Sequence, residues 1–583
     1  MKYNKIALQR ALVIAIAICM AYVAWAGTIS LGGRTAYFDC GTNTWLCSVP
    51  AAQFGEDLTV RFYCDSTLHW SDIAINDMPL SADSLVTFAE VGGDKAYPLS
   101  AVDTISGDTL HHTICFTYLP ILHLQGEFTD DYQVTHVGVS LPDADAEADM
   151  FAKVKHRGGT TNLPDRHKRN YHIKFLDADT NKMDRKFFGL RNDNSWILDA
   201  GQIDMLRIRN RVCTELWLDM CHKPYYADQE PKALLGVRGD FIELFLNDRY
   251  SGIYALTEAM DRKQLKLVKS EADSAGVTTF HGMLWKTKFS DVITRMSRWY
   301  EYDNNNDTWG GIEVKYPDPD EVMPTDFQTL SDAFKFVATS SNADFVEHVG
   351  EYFDIPVVMD YWIMINALLA VDNGTKNIYW AVYDQTVDKK LTLAAWDLDC
   401  TVGQNWINEP FHNEAIVGPT RHLSGFNQLL LRLHEHNPDS FCIKAVERYR
   451  LLRNDLLSAD SIYKRFENRV NWLKQCGAVA RETARWTQDS DLSGNELDFD
   501  AELAYIRNWL DIRMDYLDKG RFAPYIRGDV NRDGIVDIGD VNHTINRMLR
   551  ANDYPMWYED PVRDFVTDIS DVNAVINFML GKE

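Results

Sequence analysis

The chain has 583 residues, of which 46% are hydrophobic, and it carries a formal net charge of −26. That length predicts several domains with a sizeable core, and the composition excludes a largely disordered chain. The acidic excess excludes electrostatic attraction to nucleic acid or to anionic lipid.

Lys2, Lys5 and Arg10 precede an apolar run over residues 11–26 that ends in Ala24-Trp25-Ala26. A basic start, an apolar middle and an A-x-A end predict a secretory signal peptide over residues 1–26, hence a secreted protein, extracellular or held at a cell surface. Its removal would take the formal charge from −26 to about −29. No later stretch reads as transmembrane: residues 357–371 are too short and include Asp360 and Asn366. Residues 27–118 alternate in short β-rich runs such as "LTVRFYCD" and "HHTICFTYL", which predicts a small all-β, sandwich-like accessory module. Cys40, Cys47, Cys64 and Cys115 fall within it, and disulfides among them are expected in an oxidising compartment. Cys213 and Cys221 lie on one predicted helix, about 12 Å apart by helix rise, and cannot pair with each other.

Residues 119–525 are mixed, with strands such as "NYHIKFL" and "DFIELFLN" before long helices such as "AELAYIRNWLDIRMDYLDKG". A β-rich front and a helical rear predict one α+β domain with two lobes. The tail, residues 527–583, repeats internally, with "DVNHTINRML" at Asp540 and "DVNAVINFML" at Asp571. Two copies make a paired module rather than a solenoid.

The chemistry concentrates in residues 370–403. "NIYWAVYD" and "KLTLAAWD" read as two strands of a hairpin, with polar "QTVDK" between them. Folding about Val387 sets Asn377 opposite Asp397, with Asp372 just upstream and Asp399 on the same face as Asp397 while the chain stays extended. Three carboxylates and an amide at one hairpin mouth suit a hard cation with oxygen ligands. Asp-x-x-x-x-Asn, a hairpin and a further Asp is also the protein-kinase order, in which the first Asp orients the hydroxyl and the Asn and second Asp hold Mg²⁺. The same residues also suit a turn and a strand-end cap.

In sequence order, "KHRGGTTN", "KRNYHIKF", "WILDAGQIDMLRIRN", "IELFLNDRYSGIYALTE", "VKYPDPDE", "DNGTKNIYWAVYD" and "AAWDLDCTVG" resemble the CotH family of atypical kinases. That family is named for a spore-coat protein and also occurs in secreted multidomain bacterial proteins. The resemblance implies a bilobal kinase-like fold over residues 119–525. It implies Asp372 as the phosphotransfer aspartate and Asn377 and Asp397 as Mg²⁺ (or Mn²⁺) ligands, with Asp399 an alternative. Gly158 and Gly159 would lie over the phosphates of ATP. Lys168 or Lys174, six apart and read as one face of a strand, would neutralise those phosphates, and Glu258 would end its strand near the nucleotide. No G-x-G-x-x-G, H-R-D or D-F-G is present.

"DVNRDGIVDIGD" places Asp529, Asn531, Asp533, Asp537 and Asp540 at loop positions 1, 3, 5, 9 and 12, with Gly534 at the turn and Ile535 giving its carbonyl. This spacing predicts a Ca²⁺ loop. The second copy keeps Asp560, Asp564, Asp568 and Asp571 but has Val562 at position 3 and Phe565 in place of the glycine. A strong first site and a degenerate second one are expected. The duplicated helix and the final Asp resemble a type I dockerin, which implies a cohesin-bearing scaffold as partner. The combined reading is a secreted Mg²⁺-dependent kinase acting on a protein or glycan hydroxyl. The rival readings are a D-x-D metal-dependent glycosyltransferase built on Asp397 and Asp399, and a non-catalytic component of an extracellular, cellulosome-like assembly.

Overall fold

A computed structural model describes residues 27–81, 84–144, 150–274, 276–406, 411–416, 427–487, 489–492, 494–549, 558–562 and 566–582. The expected signal segment, and Asp564 and Phe565 of the second terminal loop, lie outside the described residues. The chain divides into two compact units, residues 1–202 with 240–256 and 470–497, and residues 203–239 with 257–469 and 498–583.

The first unit opens with an all-β region. Nine strands form one hydrogen-bonded sheet running from Met78–Pro79 at one edge to Leu85–Phe88 at the other, with Thr44–Ser48 and Thr109–Thr117 paired in parallel. Ile75, close to one edge, and Val86, on the other, share a core with Trp45, Phe62, Leu99 and Phe116. The predicted sandwich is therefore a single sheet coiled over its own core. The expected disulfides are not formed, and the nine described cysteines are all free. Cys47 enters the sheet core, whereas Cys115 packs on the other face against Tyr37 and Leu46.

A closed seven-stranded barrel follows. It is completed when Ile121–Leu124 pairs in parallel with Gly239–Leu246, so its closure depends on contacts more than a hundred residues apart. Leu122, Val137, Ala152, Ile173, Trp196 and Leu244 fill it, inward positions alternating along each strand.

The second unit is built on a five-stranded sheet whose last two members are the hairpin strands Ile378–Val382 and Thr392–Ala395. Before it, "IPVVMDYWIMINA" forms the helix Ile355–Ala367, buried throughout from Val357 onwards and apolar apart from Asp360, which is paired with Arg448, and Asn366. A helix of that kind can sit only inside a core. No helix among the described residues is long and apolar enough to cross a membrane. In the tail, the helices Ile538–Met548 and Ile569–Met579 each start at a capping box, Asp537 with Asp540 and Asp568 with Asp571. Val530, Val541, Val572 and Val575 pack between them.

Candidate active site

The hairpin forms one residue out of the expected register. Ile378 pairs with Ala395, so Asn377 stands opposite Trp396, whose N–H donates to the Asn377 carbonyl at 3.1 Å. The loop closes through an Asp384–Asp388 bridge, centred one residue before Val387. Both strands are buried along their whole length, so no polar–apolar alternation marks the register in the sequence. The extended chain ends at Ala395 and Asp397 has φ 59°, so Asp399 does not follow Asp397 along one strand face.

Two of the expected residues, Asp372 and Asn377, are in contact. Asn377 Nδ2 donates to Asp372 Oδ2 at 2.9 Å, and Lys376 Nζ lies 2.7 Å from the same oxygen. Burial alone would lower the Lys376 pKa, but Asp372 and then Asp397 raise it overall. The Cys400 thiol is driven well above its usual value, first by burial and then by Asp399, Asp372 and Asp397. One buried point thus feels all three carboxylates. Lys376 is the member of this group that the sequence reading missed, although its place between Asp372 and Asn377 was visible.

The loops carrying these acids are pinned from several sides. The Tyr361 hydroxyl, from the buried helix, donates to the Asn373 carbonyl at 2.6 Å, and Asn373 Nδ2 donates to the Trp396 carbonyl at 2.7 Å. Asn210 Oδ1, at the start of the helix Arg209–Met220, accepts the Leu398 N–H at 2.9 Å. Next to it, buried Arg209 is held by Asp204 at 2.6 Å and by Glu502. The "RIRN" segment thus holds the "DLDC" segment through the Asn210–Leu398 hydrogen bond. The donor set at the hairpin consists of carboxylate and amide oxygens, which fits a hard divalent cation. Asn373 Oδ1, buried beside them, accepts no hydrogen bond among the described residues.

The first unit carries the expected phosphate-binding residues. Gly158 has φ 118°, and a Cβ there would fall 2.3 Å from Thr161 Oγ1, so only glycine fits; Gly159 has open space around it. The two lysines do not share a strand face, because the strand begins at Asn170 and Lys168 precedes it. Lys168 is 1% exposed and its Nζ lies 2.8 Å from Glu482 Oε1, itself fully buried. Glu482 comes from the helix Ala478–Trp486. Its other oxygen accepts the Ile253 N–H at 2.8 Å, and Lys168 also donates to the Ile253 carbonyl at 2.8 Å. Lys174, by contrast, is partly exposed and lies over the Tyr132 ring.

In the second unit, Glu258 ends its strand, as expected, and is fully buried. Arg238 pairs with it at 2.7 Å, and Gln264 Nε2 donates to it at 3.0 Å.

Among the described residues, one group of three acidic or imidazole side chains brings its ligand atoms within 4.8 Å of one another and could hold a metal: His167, Asp489 and Asp491 of the first unit. Asp491 there already accepts from Gln202 at 2.6 Å and from the His167 N–H at 2.9 Å. The hairpin acids do not close to that spacing. In the tail, Asp529 accepts the N–H groups of Asp533 at 3.1 Å and Gly534 at 2.9 Å. Asp540, fully buried, accepts those of Val530, Asn531 and Asp537. Gly534 has φ 91°, which suits the turn. In the second loop, Asp571 repeats two of the three Asp540 contacts, accepting the N–H groups of Val562 and Asp568, since Pro561 stands where Val530 does and has no N–H.

A family model described as CotH kinase protein matches residues 154–517. A search of curated proteins finds no match.

Proposed function

The chain belongs to the CotH kinase protein family, and from that premise we propose that it catalyses metal-dependent phosphoryl transfer from ATP to a protein or glycan hydroxyl. The observation that carries this reading is the Asp372–Asn377 contact of 2.9 Å at the mouth of the hairpin whose second strand leads into Asp397 and Asp399.

In this reading Asp372 orients the acceptor hydroxyl and takes its proton as the oxygen attacks the terminal phosphorus. The bond from that phosphorus to the bridging oxygen breaks, and ADP leaves. Lys376 and Asn377 both contact Oδ2 of Asp372, which assigns the proton to Oδ1. Asn377 with Asp397, or with Asp399 as the alternative, would hold Mg²⁺ or Mn²⁺. Such an ion neutralises phosphate charge and fixes the leaving group. Lys168 is assigned to the nucleotide phosphates in preference to Lys174, because a buried lysine paired with a helix glutamate is the form in which kinases hold that lysine. Gly158 and Gly159 supply close backbone approach. Glu258, enclosed by Arg238 and Gln264, is assigned to the scaffold.

The tail is read as a type I dockerin whose first loop holds Ca²⁺ through Asp529, Asn531, Asp533, Asp537, Asp540 and the Ile535 carbonyl. It would attach a secreted catalytic chain to a cohesin-bearing scaffold. The preorganised first loop and the duplicated capped helices support this assignment.

A thermal-shift panel on the full chain tests the catalytic reading. ATP with Mg²⁺ should raise the melting temperature, and labelled phosphate should appear on the chain itself or on a generic acceptor. Stabilisation by a sugar nucleotide with Mn²⁺ instead would support a glycosyltransferase, and a response to Ca²⁺ alone a structural component.

A further inference from the structure

The first unit contains a cleft of about 570 Å³ that the kinase chemistry does not use. Its apolar wall is a run of three aromatic rings, Phe54, Tyr118 and Trp472. The Tyr118 ring centroid lies 4.9 Å from that of Phe54 and 5.4 Å from that of Trp472. The Tyr118 hydroxyl donates to the Trp472 carbonyl. Phe54 and Trp472 keep part of their surface in solvent. The polar side is supplied by Glu90, Asp94, Lys95 and Gln475, all exposed, with Lys95 Nζ 3.7 Å from Glu90 Oε2.

The cleft is built rather than incidental. The Gly55 N–H donates to the Val91 carbonyl at 2.8 Å and the Val91 N–H to the Glu56 carbonyl at 2.9 Å, lacing its two loops together. Gly93 lies so close to the chain that follows Trp472 that a Cβ would fall 2.2 Å from the Gly477 nitrogen. The segments lining the cleft are therefore held by backbone contact, and the ligand space needs little ordering on binding.

The volume lies within the range of about 300–1,000 Å³ typical of small-molecule sites. The lining selects the chemistry. One cation, already beside a carboxylate, does not suit a phosphate or another anion, and the charged edge does not suit a lipid. An aromatic wall of inclined rings, Tyr118 standing at 62° to Phe54 and 39° to Trp472, beside carboxylate, ammonium and amide groups suits a neutral ring with apolar C–H faces and hydroxyl edges. We propose that this cleft is a binding site for a neutral saccharide, with Phe54 and Trp472 against the ring faces and Glu90, Lys95 and Gln475 on the hydroxyls.

The full chain should be titrated with cellotriose, xylotriose, mannotriose and chitotriose, following tryptophan fluorescence and heat. At least one should bind saturably. Glu90→Gln and Gln475→Ala, both at exposed positions, should weaken that binding about tenfold each, as the loss of a polar partner implies, with no change in melting temperature. Phe54→Ala should abolish it. Absence of binding by all four trisaccharides would overturn the proposal. So would affinities that none of the three variants changes, or binding of tetramethylammonium in place of sugar.

Discussion

Asn377 and Asp397 both have φ 59°, and they stand just outside the two strands of one hairpin. The left-handed region costs an ordinary L-residue about 1–2 kcal/mol, and Asn and Asp are among the few side chains that visit it routinely. The backbone thus turns sharply at both positions that the catalytic reading assigns to metal. Asp397→Gly should preserve that backbone while removing the carboxylate. Its melting temperature should match or exceed that of Asp397→Ala, and both variants should lose Mg²⁺-dependent ATP binding. Phosphate transfer by Asp397→Gly at the wild-type rate would remove Asp397 from the metal site.

Asp372 is tied to Lys376 and Asn377 through a single oxygen. If it handles the acceptor proton, Asp372→Asn should keep ATP affinity and lose transfer by about 10²- to 10⁴-fold, the scale of general-base catalysis. Separate measurement of nucleotide binding and single-turnover transfer checks this. A weaker affinity with an unchanged transfer rate would place Asp372 among the binding groups.

The approach of Asp372 to Asn377 was legible because five residues of turn-forming sequence before a strand leave few alternatives. The register of the hairpin was not, since "IYWAV" and "TLAA" are buried on both faces and either pairing hides the same surface. Barrel closure was equally hidden, because Ile121–Leu124 finds its parallel partner only at Gly239–Leu246. Lys168 reads in the sequence as sharing a strand face with Lys174, but it precedes the strand and its partner Glu482 lies more than three hundred residues away. Local pattern carries turns, caps and loops of fixed spacing, such as residues 529–540. It carries little about long-range pairs, which depend on closure of the whole core.

The Lys168–Glu482 pair offers a stability test independent of activity. Removing one partner of a buried ion pair costs about 3–5 kcal/mol, because the other charge stays uncompensated. Lys168→Met should therefore lower the melting temperature markedly. The double variant Lys168→Met with Glu482→Gln should recover part of the loss, since no unpaired charge remains. Equal stability of Lys168→Met and wild type would mean that the pair does not form in solution.

Glu502 predicts an acid limit to stability. Burial alone would raise its pKa, but Arg209 and His412 hold it down at about 2, from a usual 4.5. A depressed folded-state value contributes stability in full above the unfolded value, and that contribution is lost as pH falls through the folded one. The wild type should accordingly lose stability between about pH 4.5 and 2. Glu502→Gln should be less stable at neutral pH and show a flatter profile across that window. Urea melts at several pH values measure both. Parallel profiles for the two proteins would mean that Glu502 is not the titrating group.

The tail makes the sharpest difference between two copies of one motif. The first loop has its side-chain oxygens and Gly534, with Asp529 already accepting two loop N–H groups. The second has Val562, 45% exposed, at the position of Asn531. Losing one ligand and the turn glycine weakens Ca²⁺ binding. Calorimetry on the full chain should show one dominant Ca²⁺ site, with the second at least about tenfold weaker. Asp529→Ala should remove the dominant site. Ca²⁺ at about 100 times its dissociation constant would stabilise the folded tail by about 2.7 kcal/mol. Limited proteolysis in chelator should then cut within residues 527–583 first, and added Ca²⁺ should protect them in the wild type but not in Asp529→Ala. Two sites of equal strength, or a tail equally protected in chelator, would show that the first loop is not what the tail depends on.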